Sequence, residues 1–246
     1  MFNAISTVST AAMNRTSVAG ATDPTPMTPA RPASSRDQDS YTLASHPQAI
    51  QMCQAGGNSD RPLPTQAEAL KDIKQNAMPR VLEGMKRDGE SNNKSNCDVG
   101  AGRMLAELRS RGYQAELNQS AGHVTVRVKT QGEDIIVDPT AAQFFKDGTA
   151  IDSTLQKKGF VGTREQLRET YVNHAEDLTA AQNVPTRDKL RADNPGYPAG
   201  DIQFLQKDAA GLNFDLHYTP DTRSTALRDS ATDNCQLSVL RALNNR

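Results

Sequence analysis

The N-terminal quarter of the chain lacks the hydrophobic pattern that a packed core requires. From Ser6 to Ser40 the sequence is rich in Ser, Thr and Pro, and no acidic residue occurs before Asp23. No apolar period there lasts longer than one helical turn, so folding could not bury enough apolar surface to offset the lost chain entropy. We therefore predict a disordered arm over residues 1–62 and one folded domain over residues 63–246, with its core at 90–145.

Composition supports this division and argues against two classes of partner. Apolar residues make up 36% of the chain, below the ~45–50% of an ordinary globular protein, so the core should not use the whole chain. The 28 Lys and Arg against 29 Asp and Glu give a net charge of -1, which argues against a nucleic-acid partner. No apolar stretch approaches the ~20 residues that cross a bilayer, so we expect no membrane span.

Hydrophobic periodicity in the folded region predicts an α+β fold in which helices pack on a small antiparallel sheet. Helices are expected over Thr65–Arg87 with an interruption at Pro79, over Cys97–Arg111 with a stop at Gly112, and over Thr163–Thr179 and Cys235–Leu243. Strands are expected over Tyr113–Leu117, His123–Val128, Asp134–Asp138 and Leu212–Tyr218, with loop at Pro185–Gly200.

Cys97 stands at the predicted start of a helix, with Asn96 or Ser95 as the expected N-cap. Unpaired backbone N–H groups and the helix dipole favour a thiolate there, and the thiolate is the nucleophilic form of cysteine. The same N–H groups could donate hydrogen bonds to an oxyanion. A small buried side chain is the alternative interpretation of an isolated cysteine. Gly100 and Gly102 in this helix indicate either close approach of another element or simple tolerance.

His123 and Asp138 form the second candidate pair. If the strands around them make a hairpin centred between Thr130 and Gln131, His123 lies directly opposite Asp138, and the two share a face of the sheet. The valines of the first strand then face the core on the other side. A carboxylate beside an imidazole fixes its tautomer, as in a catalytic triad. The alternative is a surface polar pair, and a slip of one residue in register would separate the two.

The residues from Asn96 to Thr140 resemble the transglutaminase-like core. The matching features are a Cys that opens a helix, the Leu-Arg-x-x-Gly-hydrophobic-x-Ala turn at 108–115, a His on a strand at Gly122-His123-Val124, and the Asp-Pro-Thr that closes the next strand at 138–140. Papain-like proteases, bacterial glutamine deamidases and arylamine acetyltransferases are similar in how they assemble a Cys, a His and an orienting residue.

This resemblance implies Cys97 as nucleophile, His123 as general base and acid, and Asp138 as the residue that orients His123. It implies a papain- or transglutaminase-like core and a thiol acyl-transfer enzyme that hydrolyses a glutamine side-chain amide or a peptide bond of a host protein, with no cofactor and no metal. The alternative is an inactive scaffold of the same fold that binds a host partner or chaperone. Asp98 and the short separation of Cys97 from His123 favour that alternative.

The arm resembles the uncleaved Ser/Thr-rich leaders of bacterial type III secretion effectors. That resemblance implies a secreted protein that acts in the host cell cytoplasm, with a secretion chaperone on the arm. An ordinary disordered arm is the alternative, because the signal is one of composition.

The remaining cysteines and histidines are expected to be structural or incidental. Three sparse cysteines do not suggest a disulfide framework, and no zinc-ligand spacing occurs, so a reducing compartment is the simplest expectation. Cys53 is expected to be a bystander in a Gly-rich polar stretch, Cys235 a core residue, and His217 a solvent-exposed residue of a strand. His46 and His174 have no partner at a meaningful spacing.

Overall fold

The computed structural model describes residues 47–54, 62–179, 184–221 and 225–244. Its helices are α1 (Pro47–Gln54), α2 (Gln66–Asp72), α3 (Met78–Arg87), α4 (Cys97–Ser110), α5 (Ala150–Lys158), α6 (Arg164–Asn173), α7 (Arg187–Asp193), α8 (Ala199–Tyr218) and α9 (Ala226–Asn244). Its strands are β1 (Ala115–Gln119), β2 (Val124–Val128), β3 (Ile135–Asp138) and β4 (Phe160–Gly162). A π-helical turn occupies Ile73–Ala77, and 3-10 turns occupy Ala141–Phe144 and Ala175–Asp177.

The four strands form an antiparallel sheet in the order β1-β2-β3-β4, so the predicted α+β class is confirmed. Strand β4 was not predicted. Neither α7, which lies in the predicted loop, nor α8, which covers the predicted strand at residues 212–218, was anticipated from the sequence.

The predicted register of the β2–β3 hairpin is wrong, although the predicted sharing of faces is right. Val128 pairs with Ile135, so the hairpin is centred between Gln131 and Gly132, one residue beyond the predicted centre. The Thr130 hydroxyl explains the longer turn, since it donates to the Glu133 carbonyl at 2.9 Å and accepts from a turn N–H at 3.2 Å. Moving the centre by one residue shifts each pairing by two positions, and because side chains alternate with period 2, every side chain keeps its face.

Local signals set the ends of α2 to α4 close to the predicted positions, whereas α9 begins at Ala226, well before the predicted Cys235, and α6 ends at Asn173, before the predicted Thr179. Thr65 accepts a hydrogen bond from the Glu68 N–H at 3.2 Å while the Glu68 carboxylate accepts from the Thr65 N–H at 3.0 Å, a capping box at the start of α2. Gly112 has φ 83 and ends α4 with a left-handed residue. The interruption at Pro79 takes the form of the preceding π-helical turn, which accommodates a residue that has no N–H to donate.

Two hydrophobic cores lie on the two faces of the sheet. The first contains side chains of α1 to α4 and α9 together with the valines of β2, as predicted for those valines. Gly102 of α4 is required there, because a Cβ atom would lie 2.4 Å from the Ala231 carbonyl oxygen of α9. We call this the aliphatic core, since its buried members are Ala, Val, Leu, Ile, Met and Cys.

The second core lies on the face that carries Ile136 and Asp138, under α6, α8 and the 3-10 turn at Ala141–Phe144. We call it the aromatic core, because the largest of its buried side chains are rings: Phe144, Phe145, Tyr171, Phe214 and Tyr218. The rings contact one another with centroid separations of 5.1 to 6.1 Å. The two cores therefore differ in composition as well as in position.

A disulfide joins Cys53 of α1 to Cys235 of α9, which is buried in the core as predicted, and it corrects the prediction for Cys53. The two Cα atoms are 5.9 Å apart although the residues are separated by 182 positions in the sequence. Cys53 is therefore not a bystander. Helix α1 also lies within the predicted disordered arm, so that prediction is wrong for residues 47–54, whose Ala49 and Cys53 are buried.

The rest of the predicted arm, apart from residue 62, lies outside the described residues. The expectation of a reducing compartment rested on unpaired cysteines, and the disulfide removes that basis.

Candidate functional site

His123 and Asp138 meet at one end of the sheet, on its aromatic face. His123 immediately precedes β2 and Asp138 ends β3, and in an antiparallel pair these two positions lie at the same end. Nε2 of His123 is 2.8 Å from Oδ2 of Asp138. The side chains are 1% and 0% exposed. The expected juxtaposition is thus present, with the pair offset diagonally across the hairpin.

Cys97 approaches this pair from the start of α4. Its first turn packs on the residues that follow β3, since a Cβ atom at Gly100 would lie 2.8 Å from Cγ2 of Thr140. The Cys97 thiol is free and only 6% exposed, and its interaction with His123 helps to raise the pKa of the imidazole. Cys97, His123 and Asp138 therefore converge, as expected from the sequence.

The N-cap of α4 differs from the prediction in its chemistry. Asn96 occupies the N-cap position, but its side chain makes no capping hydrogen bond. Its Nδ2 instead donates to the Ser91 carbonyl at 2.8 Å. The first-turn N–H groups beside Cys97 are consequently not capped by Asn96, and such groups are suited to bind developing negative charge.

The Asp138 carboxylate receives hydrogen bonds at both oxygens. Oδ1 accepts from the backbone N–H of Thr140 at 2.9 Å and from its hydroxyl at 3.1 Å. Oδ2 accepts from the Tyr218 hydroxyl at 2.8 Å in addition to His123. A buried carboxylate needs such partners, because an unpaired charge in this environment would be very costly.

The ionisation of the pair follows from these contacts. Burial disfavours the charged form of His123, but the charge and hydrogen bond of Asp138 and the contact with Cys97 outweigh burial and raise the pKa of His123 to about 9. Burial likewise opposes ionisation of Asp138, yet His123, Tyr218 and Thr140 hold the pKa of its carboxyl below the usual value. At neutral pH the pair is therefore an imidazolium beside a carboxylate.

Three site residues were missed by sequence analysis. Tyr218 comes from α8, and the alternation of apolar residues that precedes it in the sequence predicted a strand instead of this helix. Gln143 of the 3-10 turn places its amide nitrogen 3.2 Å from Nδ1 of His123 and 3.2 Å from the Thr140 hydroxyl. Phe144 packs edge-on against the His123 ring with a centroid separation of 4.8 Å. The sequence signal for Gln143 and Phe144 was only their closeness to the Asp-Pro-Thr motif.

His217, expected to be solvent-exposed, is half-buried beside the site. Its ring stacks on Phe144 at a centroid separation of 4.3 Å, and its Nδ1 atom is buried without a hydrogen-bond partner among the described residues. Burial, followed by the positive charge of His123, lowers the pKa of His217 to about 4. His174, expected to lack a partner, lies 3.2 Å from Asp177, and His46 falls outside the described residues.

Asp98, the acidic neighbour of the thiol, points away toward α9. Its carboxylate accepts a hydrogen bond from the Ser230 hydroxyl. Within the described ranges, no group of three His, Cys, Asp or Glu side chains could hold a metal ion. Nor is any helix that the structure describes long and apolar enough to cross a bilayer.

One surface cavity lies away from this constellation. It has a volume of about 720 Å³ and lies between α3, α4 and α9, with Val81, Arg103 and Val239 in its lining. The residues around Cys97 form a closed site instead, consistent with the low exposure of all three side chains.

Comparison of the chain with known protein families, curated proteins and solved structures finds no match to any of them. The interpretation of the site therefore depends on its geometry and chemistry.

Proposed function

We propose that this protein is a thiol-dependent acyl-transfer enzyme in which Cys97, His123 and Asp138 act as nucleophile, general base and orienting residue. The observation that carries the proposal is the buried contact of Nε2 of His123 with Oδ2 of Asp138 at 2.8 Å, beside a buried thiol that interacts with the same imidazole. Such an order of groups is what nucleophilic catalysis by cysteine requires. The arrangement on a small antiparallel sheet also supports a papain- or transglutaminase-like core, which we propose as the finer description of the fold.

The first half of the reaction forms a thioester. The proton of the Cys97 thiol is already held by His123 as the imidazolium, and the sulfur attacks the carbonyl carbon of a glutamine side-chain amide or of a peptide bond. Backbone N–H groups in the first turn of α4 donate hydrogen bonds to the oxyanion in this proposal. The carbon–nitrogen bond then breaks, and the departing ammonia or amine takes its proton from His123.

The second half releases the acyl group. A water molecule gives one proton to His123 and adds its oxygen to the thioester carbonyl. The carbon–sulfur bond breaks, and the proton taken from water stays on His123, which restores the imidazolium beside the sulfur. The net reaction is deamidation of glutamine or cleavage of a peptide bond, and an amine in place of water would give a cross-link.

The sequence features of the arm support delivery of this enzyme to a host cell as a type III effector, with a host protein as substrate and a secretion chaperone as a further partner. We propose the host cytoplasm as its place of action. This part of the proposal is independent of the triad and depends on composition alone.

An inactive scaffold is the second candidate, and one observation favours it. Cys97 is 6% exposed and His123 is 1% exposed, so a substrate could reach the sulfur only if neighbouring side chains moved. Asp98, in contrast, no longer favours the scaffold, because its carboxylate is hydrogen-bonded to Ser230.

Alkylation by iodoacetamide without reductant tests the thiol directly. Because Cys53 and Cys235 are joined in a disulfide, labelling under these conditions reports on Cys97 alone. We expect His123→Ala to slow the labelling at neutral pH, since the imidazolium that stabilises the thiolate is lost. Equal rates in the two folded proteins would favour the scaffold.

A mutation series tests the reaction itself. The protein is incubated with host-cell proteins, and mass spectrometry searches for Gln-to-Glu conversion and for new N-termini. Cys97→Ala and His123→Ala should each abolish the modification, because nucleophile and base act as a unit. Asp138→Asn should retain residual activity reduced by roughly 10²- to 10⁴-fold. If Cys97→Ala modifies the same proteins as the parent, the enzyme proposal fails.

A further inference from the structure

We propose that Tyr218 is a positioning residue of the site: its hydroxyl holds Oδ2 of Asp138 in the orientation that accepts from His123. The inference rests on the proposed function and adds to it a fourth residue, supplied by α8 from 80 positions away in the sequence. No role for the C-terminal part of the chain follows from the three residues of the triad alone.

The geometry of the carboxylate carries this inference. Oδ2 accepts two hydrogen bonds of equal length, 2.8 Å from Nε2 of His123 and 2.8 Å from the Tyr218 hydroxyl. Oδ1 is held on the other side by Thr140. Rotation of the carboxylate about its Cβ–Cγ bond would break the bonds on both oxygens. Without Tyr218, the oxygen that faces His123 would have only His123 itself as a partner.

Tyr218 is fixed independently of Asp138. Its ring is fully buried and lies stacked on Phe214 with a centroid separation of 5.1 Å, and it meets the His123 ring edge-on at 5.4 Å. Its backbone carbonyl accepts from Nη1 of Arg164 at 2.7 Å. The hydroxyl is thus delivered by a rigid support, as precise placement of a reacting group requires.

Tyr218 also supplies a donor without supplying a charge. Burial, followed by the charge of Asp138, raises the pKa of Tyr218 well above its usual value, so the hydroxyl keeps its proton throughout the range in which the site works. A neutral donor stabilises the carboxylate anion and leaves its charge available to His123.

Among the described residues, four titratable groups lie around the same carboxylate. His123 precedes β2, Tyr171 lies on α6, and His217 and Tyr218 lie on α8. Cys97 interacts with His123. Tyr171 is the matched control, because its ring lies 5.7 Å from that of Tyr218 while its hydroxyl makes no hydrogen bond to Asp138.

The test compares Tyr218→Phe with Tyr171→Phe through the pH dependence of Cys97 alkylation, measured without reductant. The acidic limb of the profile is the fall of the alkylation rate as pH decreases. Loss of the Tyr218 hydroxyl makes protonation of Asp138 easier, so this limb should move to higher pH. The expected shift is about one pH unit, because a hydrogen bond to a charged group contributes about that much free energy. Tyr171→Phe should leave the limb in place. A purely structural role would lower the thermal midpoint in both variants without moving the limb.

A second, nearly isosteric change covers the case in which Tyr218→Phe does not fold. Site-specific replacement of Tyr218 by 3-fluorotyrosine gives a more acidic hydroxyl and a stronger donor, so the limb should move to lower pH. The inference is overturned if the pH dependence of Cys97 alkylation is the same as in the parent, whether Tyr218→Phe or the 3-fluorotyrosine protein is measured. Alkylation needs no substrate, so the two proposals can fail separately. If the Tyr218 variant shifts the limb but the parent has no hydrolytic activity, only the proposed function is refuted. If the parent is active but the Tyr218 variant does not shift the limb, only this inference is refuted.

Discussion

The aliphatic and aromatic cores differ in what they bury besides apolar surface. Among the described residues, the aliphatic core carries the disulfide and the close contact of α4 with α9 at Gly102. The aromatic core borders the fully buried ion pair of His123 and Asp138. One side of the sheet is therefore held by covalent and packing interactions, and the other surrounds groups whose charge depends on pH.

This difference has a physical reason. Aliphatic side chains offer no hydrogen bonds, so a core built from them can exclude polar groups and pack helices closely. Tyrosine combines a large apolar ring with a hydroxyl, so an aromatic core can satisfy a buried carboxylate. Helix α4 joins the two environments, because it packs through Gly102 on α9 and presents Cys97 to His123. Stability and ionisation should consequently respond to different perturbations.

Reduction of the disulfide, which lies in the aliphatic core, should have the largest effect on the free energy of unfolding. Cys53 and Cys235 close a loop of 182 positions, and loss of such a crosslink typically costs about 2–5 kcal/mol of unfolding free energy. Urea unfolding with and without a thiol reductant measures this loss. The double variant Cys53→Ala, Cys235→Ala is the control, because its stability should not depend on the reductant. Identical unfolding of the oxidised and reduced parent would contradict the prediction.

Gly102→Ala should be the next largest perturbation. The added methyl group would lie 2.4 Å from the Ala231 carbonyl oxygen and 2.8 Å from the Cys235 backbone nitrogen. Because backbone atoms cannot swing aside, α9 must shift, and overpacking of this kind costs roughly 1–3 kcal/mol despite the better helix propensity of Ala. Thermal unfolding measures the loss. Gly200→Ala in α8 is the control, since a methyl group there meets no atom within 4 Å. Equal midpoints for the two variants would show that the contact relaxes freely.

The aromatic side should carry a dependence of stability on alkaline pH. The pKa of His123 is raised from 6.5 to about 9 in the folded protein. A raised pKa contributes stability that is complete below the unfolded value of 6.5 and is lost as pH rises through about 9. The loss should be at most about 3 kcal/mol, the linkage value of this shift, and urea unfolding across this interval measures it. In His123→Gln the unfolding free energy should change less over the same interval. If the unfolding free energy of the parent changes as little with pH as that of the variant, the folded protein does not favour the imidazolium form of His123.

The site was more predictable than the C-terminal half because its signals are local. The helix stop at Gly112 and the alternation of Val124, Val126 and Val128 depend on nearby residues only. The prediction that His123 and Asp138 share a face is correct although the predicted register is wrong, because the error moved each pairing by two positions. Had the turn at Thr130 shifted the pairing by one position, the same sequence argument would have failed.

The prediction of a strand at residues 212–218 failed for a definite reason. Phe214 and Tyr218 are four residues apart and face the aromatic core from one side of α8, while Leu212 and Leu216 are 67% and 59% exposed on the other side. Apolar residues on both faces of a helix imitate the alternation of a strand. Tyr218 was not predicted as a site residue, because α8, the helix that carries it, was not predicted. The disulfide was missed because only packing brings Cys53 to Cys235.

The smallest predicted effect concerns His217, at the edge of the aromatic core. Its ring is half-buried against Phe144, its Nδ1 has no partner among the described residues, and burial together with the charge of His123 lowers its pKa from 6.5 to about 4. In the unfolded chain this histidine binds a proton below pH 6.5, whereas in the folded protein it resists protonation down to about 4. The free energy of unfolding should therefore fall as pH decreases across that interval.

Partial exposure of His217 reduces the expected loss to about 1 kcal/mol or less. Urea unfolding of the parent and of His217→Gln measures it, and the difference in stability between them should shrink or reverse as pH falls. His174→Gln is the control, because His174 lies at the surface beside Asp177. The same pH dependence in the parent and in His217→Gln would show that His217 contributes nothing to the acid sensitivity, and the contrast between the two cores would then depend on the ion pair of His123 and Asp138.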